Sequence, residues 1–468
     1  MYHELIQPED TIVAIASAQG IGAIGLIRVS GKEAFSICDA IFRGKPVKDQ
    51  ASHTIQYGHI YDANGIVDEV MMAVFRAPKS FTTEDSVEIS CHGSVYIQSQ
   101  IIRLLVQQGA RLAAPGEFTL RAYLNGRIDL AQAEAVGDII AAQNQSQLNI
   151  AMHQMRGGLS SQLNQLREDL LNFISLVELE LDFGEEDVEF ADRSELRNRV
   201  QQMQSFIQPM INSFQLGNAI KNGIPVAIVG RPNAGKSSLL NALLEDDRAI
   251  VSDIAGTTRD TIEEEIHIHG VSFRFIDTAG IRQTSDVIEK IGIDKAIQSI
   301  AKAQIVICIF DMSNTSADEL KNDIAIIQQN NGAAHMLVIG NKKDIASDAQ
   351  INQFESIVKE AGLEFEAVSM LNRDNSDTVA LRQRLYDIMH LNRIDSNQTI
   401  ITNARHHQQL RSATEALTIV LEMLSSGSSG DLLSFEMRRA VNAIGDITGT
   451  ISNDEVLGNI FGKFCIGK

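Results

Sequence analysis

The sequence predicts a multidomain α/β protein: an N-terminal α+β domain, an all-α domain built from two separated stretches, and between them an inserted P-loop nucleotide-binding domain with a mostly parallel sheet. Three observations carry that expectation. At 468 residues the chain exceeds what one hydrophobic core supports, so roughly two to four domains are expected. Residues 224 to 238 read Ile-Pro-Val-Ala-Ile-Val-Gly-Arg-Pro-Asn-Ala-Gly-Lys-Ser-Ser, an apolar β-branched run followed by Gly-x-x-x-x-Gly-Lys-Ser and a leucine-rich helix start, which is a strand, a phosphate loop and a helix. The seven prolines, at 8, 46, 78, 115, 209, 225 and 232, leave residues 116 to 208 and everything after 232 without a helix breaker, as long helices require.

Composition narrows the class. An apolar content of 44% supports folded domains, and a formal net charge of −20 argues against a general nucleic-acid binder, so any RNA contact must come from a local patch or a partner. Cys38, Cys91, Cys308 and Cys465 lie far apart with no Cys-x-x-Cys, which suits a reducing compartment and places the protein in the cytoplasm. The start carries Glu4, Glu9 and Asp10 rather than a basic region, and the apolar stretch from Ile12 to Val29 is broken by glycines, Gln19 and Arg28. Neither a signal peptide nor a membrane span is expected.

Taken in order, residues 1 to 125 show short β-branched runs (Ile12 to Ala16, Ile24 to Val29, Val70 to Phe75, Val87 to Ser90) between glycine turns and two helical stretches, a small α+β domain. Within it the segments around Arg28, from Ser80 to Glu88 and from Ala114 to Arg127 carry more polar detail than a core needs. Taken alone, Arg28 and Glu88 each sit in or beside an apolar strand pattern, where a strand-edge salt bridge is the expected role. Residues 126 to 218 differ in kind: Leu159, Leu163, Leu166, Leu170, Ile174, Val177 and Leu181 recur at spacings of three and four, one long amphipathic helix. The acidic run Gly184 to Glu189 marks a solvated turn.

Residues 219 to 387 form the inserted domain. After the phosphate loop, Thr261 to Ile268 and Val271 to Ile276 alternate and meet across His269-Gly270, a hairpin. The second strand runs into Asp277-Thr-Ala-Gly280, where an aspartate can hold a Mg²⁺ water and the Gly280 N–H can sense a γ-phosphate. Buried strands follow at Ile305 to Phe310 and Met336 to Ile339, the latter leading into Asn341-Lys-Lys-Asp344. Guanine presents two N–H donors on the edge where adenine has one amino group and an acceptor nitrogen, so the Asp344 carboxylate fits guanine. Residues 388 to 468 return to helix, at Leu410 to Leu424, Asp431 to Ile444 and a last helix opened by the capping box Ser452-Asn-Asp-Glu455. An insertion into one helical domain follows, as an inserted domain's termini lie close together.

With Gly-Arg-Pro-Asn-Ala-Gly-Lys-Ser-Ser at 230 to 238, Asp253-Ile-Ala-Gly-Thr-Thr-Arg-Asp260, Asp277-Thr-Ala-Gly280, Pro-Gly-Glu-Phe-x-x-Arg-Ala at 115 to 122, Leu130-Ala-Gln-Ala-Glu-Ala135 and the final Phe464-Cys-Ile-Gly-Lys468, the chain resembles the MnmE (TrmE) family of tRNA-modification GTPases over its whole length. The resemblance implies a Ras-like inserted domain that binds GTP through Asn233, Ala234, Gly235, Lys236, Ser237 and Ser238, through Ser252, Asp253, Ile254, Ala255, Gly256, Thr257 and Thr258, through Asp277, Thr278, Ala279 and Gly280, and through Asn341, Lys342 and Asp344. It implies Mg²⁺ at Ser237 and Thr258, and K⁺ at Asn233, Thr257 and the backbone of Ser252 and Ile254 in place of an arginine finger. Ile281 stands where Ras-like enzymes carry a water-orienting glutamine, and Glu289 is implied as the catalytic residue. The Ser-Ala pair that closes the base pocket in GTPases is here Ser369-Met370. A formyl-tetrahydrofolate one-carbon donor is implied at Arg28, Glu88, Arg127 and Lys468. Homodimers formed through the N-terminal domain, tRNA, and the FAD-dependent flavoprotein MnmG (GidA) are the implied partners, acting together on carbon 5 of a wobble uridine. Two rivals are weighed beside it. A ribosome-assembly GTPase would usually append a basic RNA-binding domain with a Gly-x-x-Gly loop, which is not evident; a nucleotide-gated dimeric scaffold would perform no chemistry. Cys465 reads equally as a buried packing residue or a reactive thiol.

Overall fold

The computed structural model describes residues 10–18, 20–182, 193–248, 264–276, 297–331, 334–370, 376–389, 399–427, 429–451 and 454–467. The chain divides into two compact units, one of residues 1–141, 151–207 and 408–468, the other of 142–150 and 208–407.

The first unit opens with a seven-stranded sheet of β1 (Ile12–Ile15), β2 (Ile24–Ser30), β3 (Phe42–Arg43), β4 (Thr54–Asp62), β5 (Gly65–Phe75), β6 (Ser86–His92) and β7 (Arg111–Leu112), in spatial order β3-β4-β5-β6-β2-β1-β7. One face carries the alternating apolar residues of these strands, among them Val13, Ile27, Val29, Met72, Val87 and Ile89, and packs them against Phe35 and Ile41 of α1 (Ala34–Ile41) and Ile101 and Leu105 of α2 (Val95–Gln107). A short α3 (Glu117–Leu124) follows. The four strands read from sequence are present; β4, rich in polar residues, shows no apolar run to betray it.

The helical part of this unit comprises α4 (Leu130–Ala141), the last residues of α5 (Gln145–Met155), α6 (Gly158–Asp182), the first half of α7 (Arg193–Asn222), and α12 (Ala404–Ser426) from residue 408, α13 (Gly430–Thr448) and α14 (Asp454–Phe461). The three-and-four spacing forms α6 as expected, with Leu159, Leu163, Leu170, Ile174 and Val177 buried and Leu181 exposed. Its apolar face lies along α13, whose Leu433, Met437, Ala440 and Ile444 are buried. Pro209 does not end a helix: α7 runs through it, and the division between the units falls beside it, after Ile207. The acidic run 184 to 189 and Ser452 of the expected capping box lie outside the described residues.

In the second unit β8 (Ile224–Val229), β9 (Glu264–Ile268), β10 (Val271–Phe275), β11 (Ile305–Asp311), β12 (His335–Asn341) and β13 (Glu364–Ala367) form one sheet in the order β13-β12-β11-β8-β10-β9, parallel except for β9. The β9–β10 hairpin turns at His269 (φ 49°) and Gly270 (φ 79°), the two positive φ values a two-residue hairpin loop requires. Both sheet faces are covered: Ile305, Ile307 and Ile309 point to the core shared with α8 (Lys236–Arg248) and α11 (Ser376–Ile388), while Val306, Cys308 and Phe310 point to α9 (Ala317–Asn330) and α10 (Asp348–Glu360). That burial on both sides is why β11 and β12 read as continuous apolar runs. It also places the loops after β8, β11 and β12 at the carboxyl edge of the sheet, where open α/β sheets bind ligands.

The polar segment 115 to 122 turns out to be an ionic core. Glu117 is fully buried; its Oε1 accepts from Arg111 Nη2 at 2.6 Å and Arg121 Nη2 at 3.0 Å, and its Oε2 from Arg111 Nη1 at 3.1 Å and the Ala114 N–H at 2.7 Å. Arg121, 2% exposed, also reaches Asp10 Oδ1 at 2.5 Å and Glu84 Oε1 at 3.2 Å. Burial pushes the Asp10 carboxyl up, but hydrogen bonds from Arg111 and then Arg121 outweigh it and hold the group below the usual carboxylate range. Removing one member of such a buried set leaves charge uncompensated, so Arg121→Leu is expected to cost about 3–5 kcal/mol in a urea-denaturation experiment at neutral pH. The Asp10 share of that loss is present above the unfolded carboxylate pKa of about 3.9 and disappears as pH falls through the depressed folded value, so the gap between parent and variant should narrow in acid.

Candidate nucleotide-binding site

The phosphate loop is set by backbone conformation. Gly230 (φ 157°), Asn233 (φ 64°) and Gly235 (φ 102°) punctuate the turn from β8 to α8, and Asn is the residue after Gly that best tolerates the left-handed region. The glycines are also steric necessities: a Cβ on Gly230 would stand 2.0 Å from the Ile309 carbonyl oxygen, and one on Gly235 would stand 2.1 Å from Asn341 Nδ2. A loop curled in this way directs successive N–H groups and the start of α8 toward one anion. Lys236 Nζ donates to the Gly230 and Arg231 carbonyls at 2.7 and 2.8 Å, and burial lowers its pKa. Ser237 and Ser238 follow in the first turn of α8, with Ala234 buried beneath.

The Asn341-Lys-Lys-Asp344 motif is bonded to that loop. Asn341, the last residue of β12 and 5% exposed, donates through Nδ2 to the Ala234 carbonyl at 2.9 Å. Its Oδ1 accepts the Lys342 N–H at 2.8 Å and the Met370 N–H at 3.4 Å. Lys342 (φ 65°) places Nζ 2.5 Å from Asp311 Oδ2 at the end of β11. Burial pushes the Asp311 carboxyl up, but Lys342 and Ser313 hold it below the usual range. Asp344 Oδ1 accepts the Ser369 hydroxyl at 2.7 Å, and the Ser369 N–H donates to Asp377 at 3.0 Å. Ser369-Met370 thus meets the motif through a hydroxyl and a backbone N–H.

Three residues of the implied folate set come together in the first unit. Arg28 and Glu88 are register partners on β2 and β6, in the interior of the sheet rather than at its edge, with Arg28 Nη2 and Nε 2.8 and 3.0 Å from Glu88 Oε1. The Arg28 guanidinium lies 5.7 Å from the Phe81 ring and 5.6 Å from that of Phe118. Arg127 lies 5.4 Å from the same Phe81 ring and donates to the Ser80 carbonyl. A cavity of about 430 Å³ opens beside them, lined by His53, Phe75, Pro78, Lys79, Ser80, Phe81 and Arg127. Sequence reasoning missed the aromatic members; the only hint was that Phe81 stands inside the polar segment 80 to 88.

Ser252, Asp253, Ile254, Ala255, Gly256, Thr257, Thr258, Asp277, Thr278, Ala279, Gly280, Ile281, Glu289 and Lys468 lie outside the described residues. Cys465 is exposed, which removes the buried packing reading.

Comparison with known proteins gives a consistent result. A family model described as the GTP-binding protein TrmE N-terminus matches residues 11–127, and one described as the MnmE helical domain matches residues 130–465. The tRNA modification GTPase MnmE of Cytophaga hutchinsonii is 49% identical over 459 residues, 98% of each chain. The proteins of that name from Flavobacterium johnsoniae and Bacteroides thetaiotaomicron are 49% and 48% identical, spanning 98% of this chain and 99% and 100% of theirs.

The base edge of this site is testable. Asp344→Asn keeps an oxygen for the Ser369 hydroxyl but loses the charged acceptor, so GDP affinity measured by calorimetry should fall about a hundredfold. Xanthosine diphosphate, whose ring offers an acceptor to the new amide, should be gained.

Proposed function

The chain belongs to the MnmE family of tRNA modification GTPases, and from that membership we propose that it hydrolyses GTP to GDP and, with an FAD-carrying flavoprotein of the MnmG type, modifies carbon 5 of the wobble uridine of certain tRNAs using a formyl-tetrahydrofolate one-carbon unit. The observation that supports it best is the Asn341 side chain joining a phosphate loop to a guanine-reading motif. In this reading one bond couples the segments that would hold the two ends of a guanine nucleotide.

In this proposal the loop N–H groups from Asn233 to Ser238 bind the β- and γ-phosphates, with Lys236 leaving its carbonyl partners to meet them. Ser237 and Thr258 would ligate Mg²⁺, and Glu289 would orient the attacking water where Ile281 cannot. Residues 252 to 258 and 277 to 280 would close over the nucleotide. A K⁺ held by Asn233, Thr257 and the backbone oxygens of Ser252 and Ile254 would supply the positive charge that an arginine finger supplies elsewhere, a contribution of roughly 10³ to 10⁵ in rate. Asn233 fits that task, being an exposed amide on the loop itself.

For the one-carbon donor, Arg28, Glu88, Arg127 and Lys468 are the proposed residues. Glu88 spends only Oε1 on Arg28, leaving Oε2 for a pterin amino edge, and a cavity of about 430 Å³ with an aromatic wall suits a flat heterocycle. We assign residues 1–125 to folate binding and homodimer formation, 126–218 and 388–468 to one helical domain, and 219–387 to the GTPase domain. Among the described residues no helix is long and apolar enough to cross a membrane, and the proposed site of action is the cytoplasm.

Two measurements test this. Nucleosides from tRNA of a deletion strain should lack a carbon-5 modification of wobble uridine; an unchanged nucleoside profile would overturn the tRNA assignment. GTP turnover should be much faster in KCl than in NaCl at equal ionic strength, and equal rates would remove K⁺ from the site.

A further inference from the structure

The second residue of the phosphate loop, Arg231, directs its side chain to α9. Its Nε lies 3.1 Å and its Nη2 3.5 Å from the Asp323 carboxylate, and its Nη1 donates to Glu319 Oε1. Both acids belong to α9, which starts at Ala317. Glu319 is itself committed, since its Oε2 accepts the Ser316 N–H and hydroxyl, each at 2.9 Å, in a capping box that opens that helix. These Ser316 bonds, with Arg231, hold the Glu319 carboxyl below its ordinary range, so it is charged at neutral pH. The Arg231 carbonyl meanwhile receives Lys236 Nζ at 2.8 Å. One residue therefore touches the loop lysine through its backbone and α9 through its side chain.

The geometry creates an electrostatic problem that Arg231 answers. Two carboxylates stand within a guanidinium's reach of a loop that must accept a polyphosphate, and unscreened charges act over about 8–10 Å at moderate ionic strength. A bidentate guanidinium is the side chain best suited to hold both. Resting on the GTPase reading above, we propose that Arg231 is a positioning residue of the nucleotide site: it holds the phosphate loop against α9 and shields the nucleotide phosphates from Glu319 and Asp323. It is thereby unavailable as a finger cation.

The test uses the full chain and calorimetry with GDP, GMP and guanosine. Arg231→Ala should weaken GDP by about tenfold at low salt, GMP less and guanosine hardly at all, because the penalty scales with ligand charge. Raising the salt concentration to 1 M should remove most of the GDP penalty, since the Debye length falls to about 3 Å. In the Arg231→Ala background, Glu319→Gln with Asp323→Asn should return GDP affinity to within about threefold of the parent, as the repelling charges are gone. Arg231→Met, which keeps the aliphatic stem, guards against a folding defect and should behave as Arg231→Ala does. Parent-like GDP affinity in the Arg231 variants, or a triple variant no better than the single, would overturn the proposal. Failure of the parent chain to bind GDP would instead overturn the GTPase reading.

Discussion

The hydrogen bond from Asn341 Nδ2 to the Ala234 carbonyl is the constraint around which the nucleotide unit is arranged. A buried amide must spend its donors and acceptors inside the protein, and Asn341 spends them on three segments: the phosphate loop, the turn into Lys342, and the Met370 backbone. The packing leaves no slack for alternatives. A Cβ on Gly340 would stand 2.6 Å from Met312 Sδ, just as Cβ atoms at 230 and 235 would strike β11 and Asn341 itself. The phosphate loop and the Asn341-to-Asp344 motif are therefore bonded to each other directly, and a shift at either is felt at the other.

Charge is managed by local pairing on the same scaffold. The chain carries a net −20 and yet must hold an anionic nucleotide, and three acids near the sheet's carboxyl edge have a cation beside them. Asp311 takes Lys342, and Glu319 with Asp323 takes Arg231. Both sets lie on the segment from the end of β11 to α9, which touches the base motif with one carboxylate and the phosphate loop with two. Neither set is deeply buried, so their effect falls on ligand binding more than on stability.

What the sequence made legible was what is local. Gly-x-x-x-x-Gly-Lys-Ser is one turn of chain, the His269-Gly270 hairpin depends on two φ angles, and the leucines of α6 repeat within a helix; each pattern is complete inside its own window. Arg28 and Glu88 show where that reach ends. That each belongs to a salt bridge was readable, but neither their pairing with each other nor their place was, because strand order puts β2 and β6 beside each other in mid-sheet, and order is a property of the whole chain. The polar strand β4 lacked an apolar run. Pro209 within α7 shows that one lost backbone bond does not stop a helix whose neighbours Ile207 and Met210 are buried.

The ionic core of the N-terminal sheet follows the same logic and gives the segment 115 to 122 its meaning. Glu117 and Arg121 are four apart in sequence; in the fold, Arg121 also bonds Asp10, 111 residues away, and Glu84, 37 residues away. Glu84 in turn accepts the Ser30 hydroxyl at 2.8 Å, tying in the end of β2. Downstream of α3 the Arg127 N–H returns to the Ala122 carbonyl at 2.9 Å, and the Arg127 side chain reaches Ser80. The segments 80 to 84 and 114 to 127, which flank the aromatic cavity, are thus joined by the guanidinium groups of Arg121 and Arg127 and by Asn125 Nδ2, which donates to the Thr82 carbonyl at 2.7 Å. A buried charge set is weak evidence for stability, since an apolar cluster would often hold as well. What apolar side chains would not supply is direction: Arg121 donates only to partners placed along its N–H bonds, and those partners, Asp10, Glu84 and Glu117, come from three segments. The cost of burying these charges is then understood as the cost of a fixed junction of three segments, as Asn341 joins three segments in the other unit.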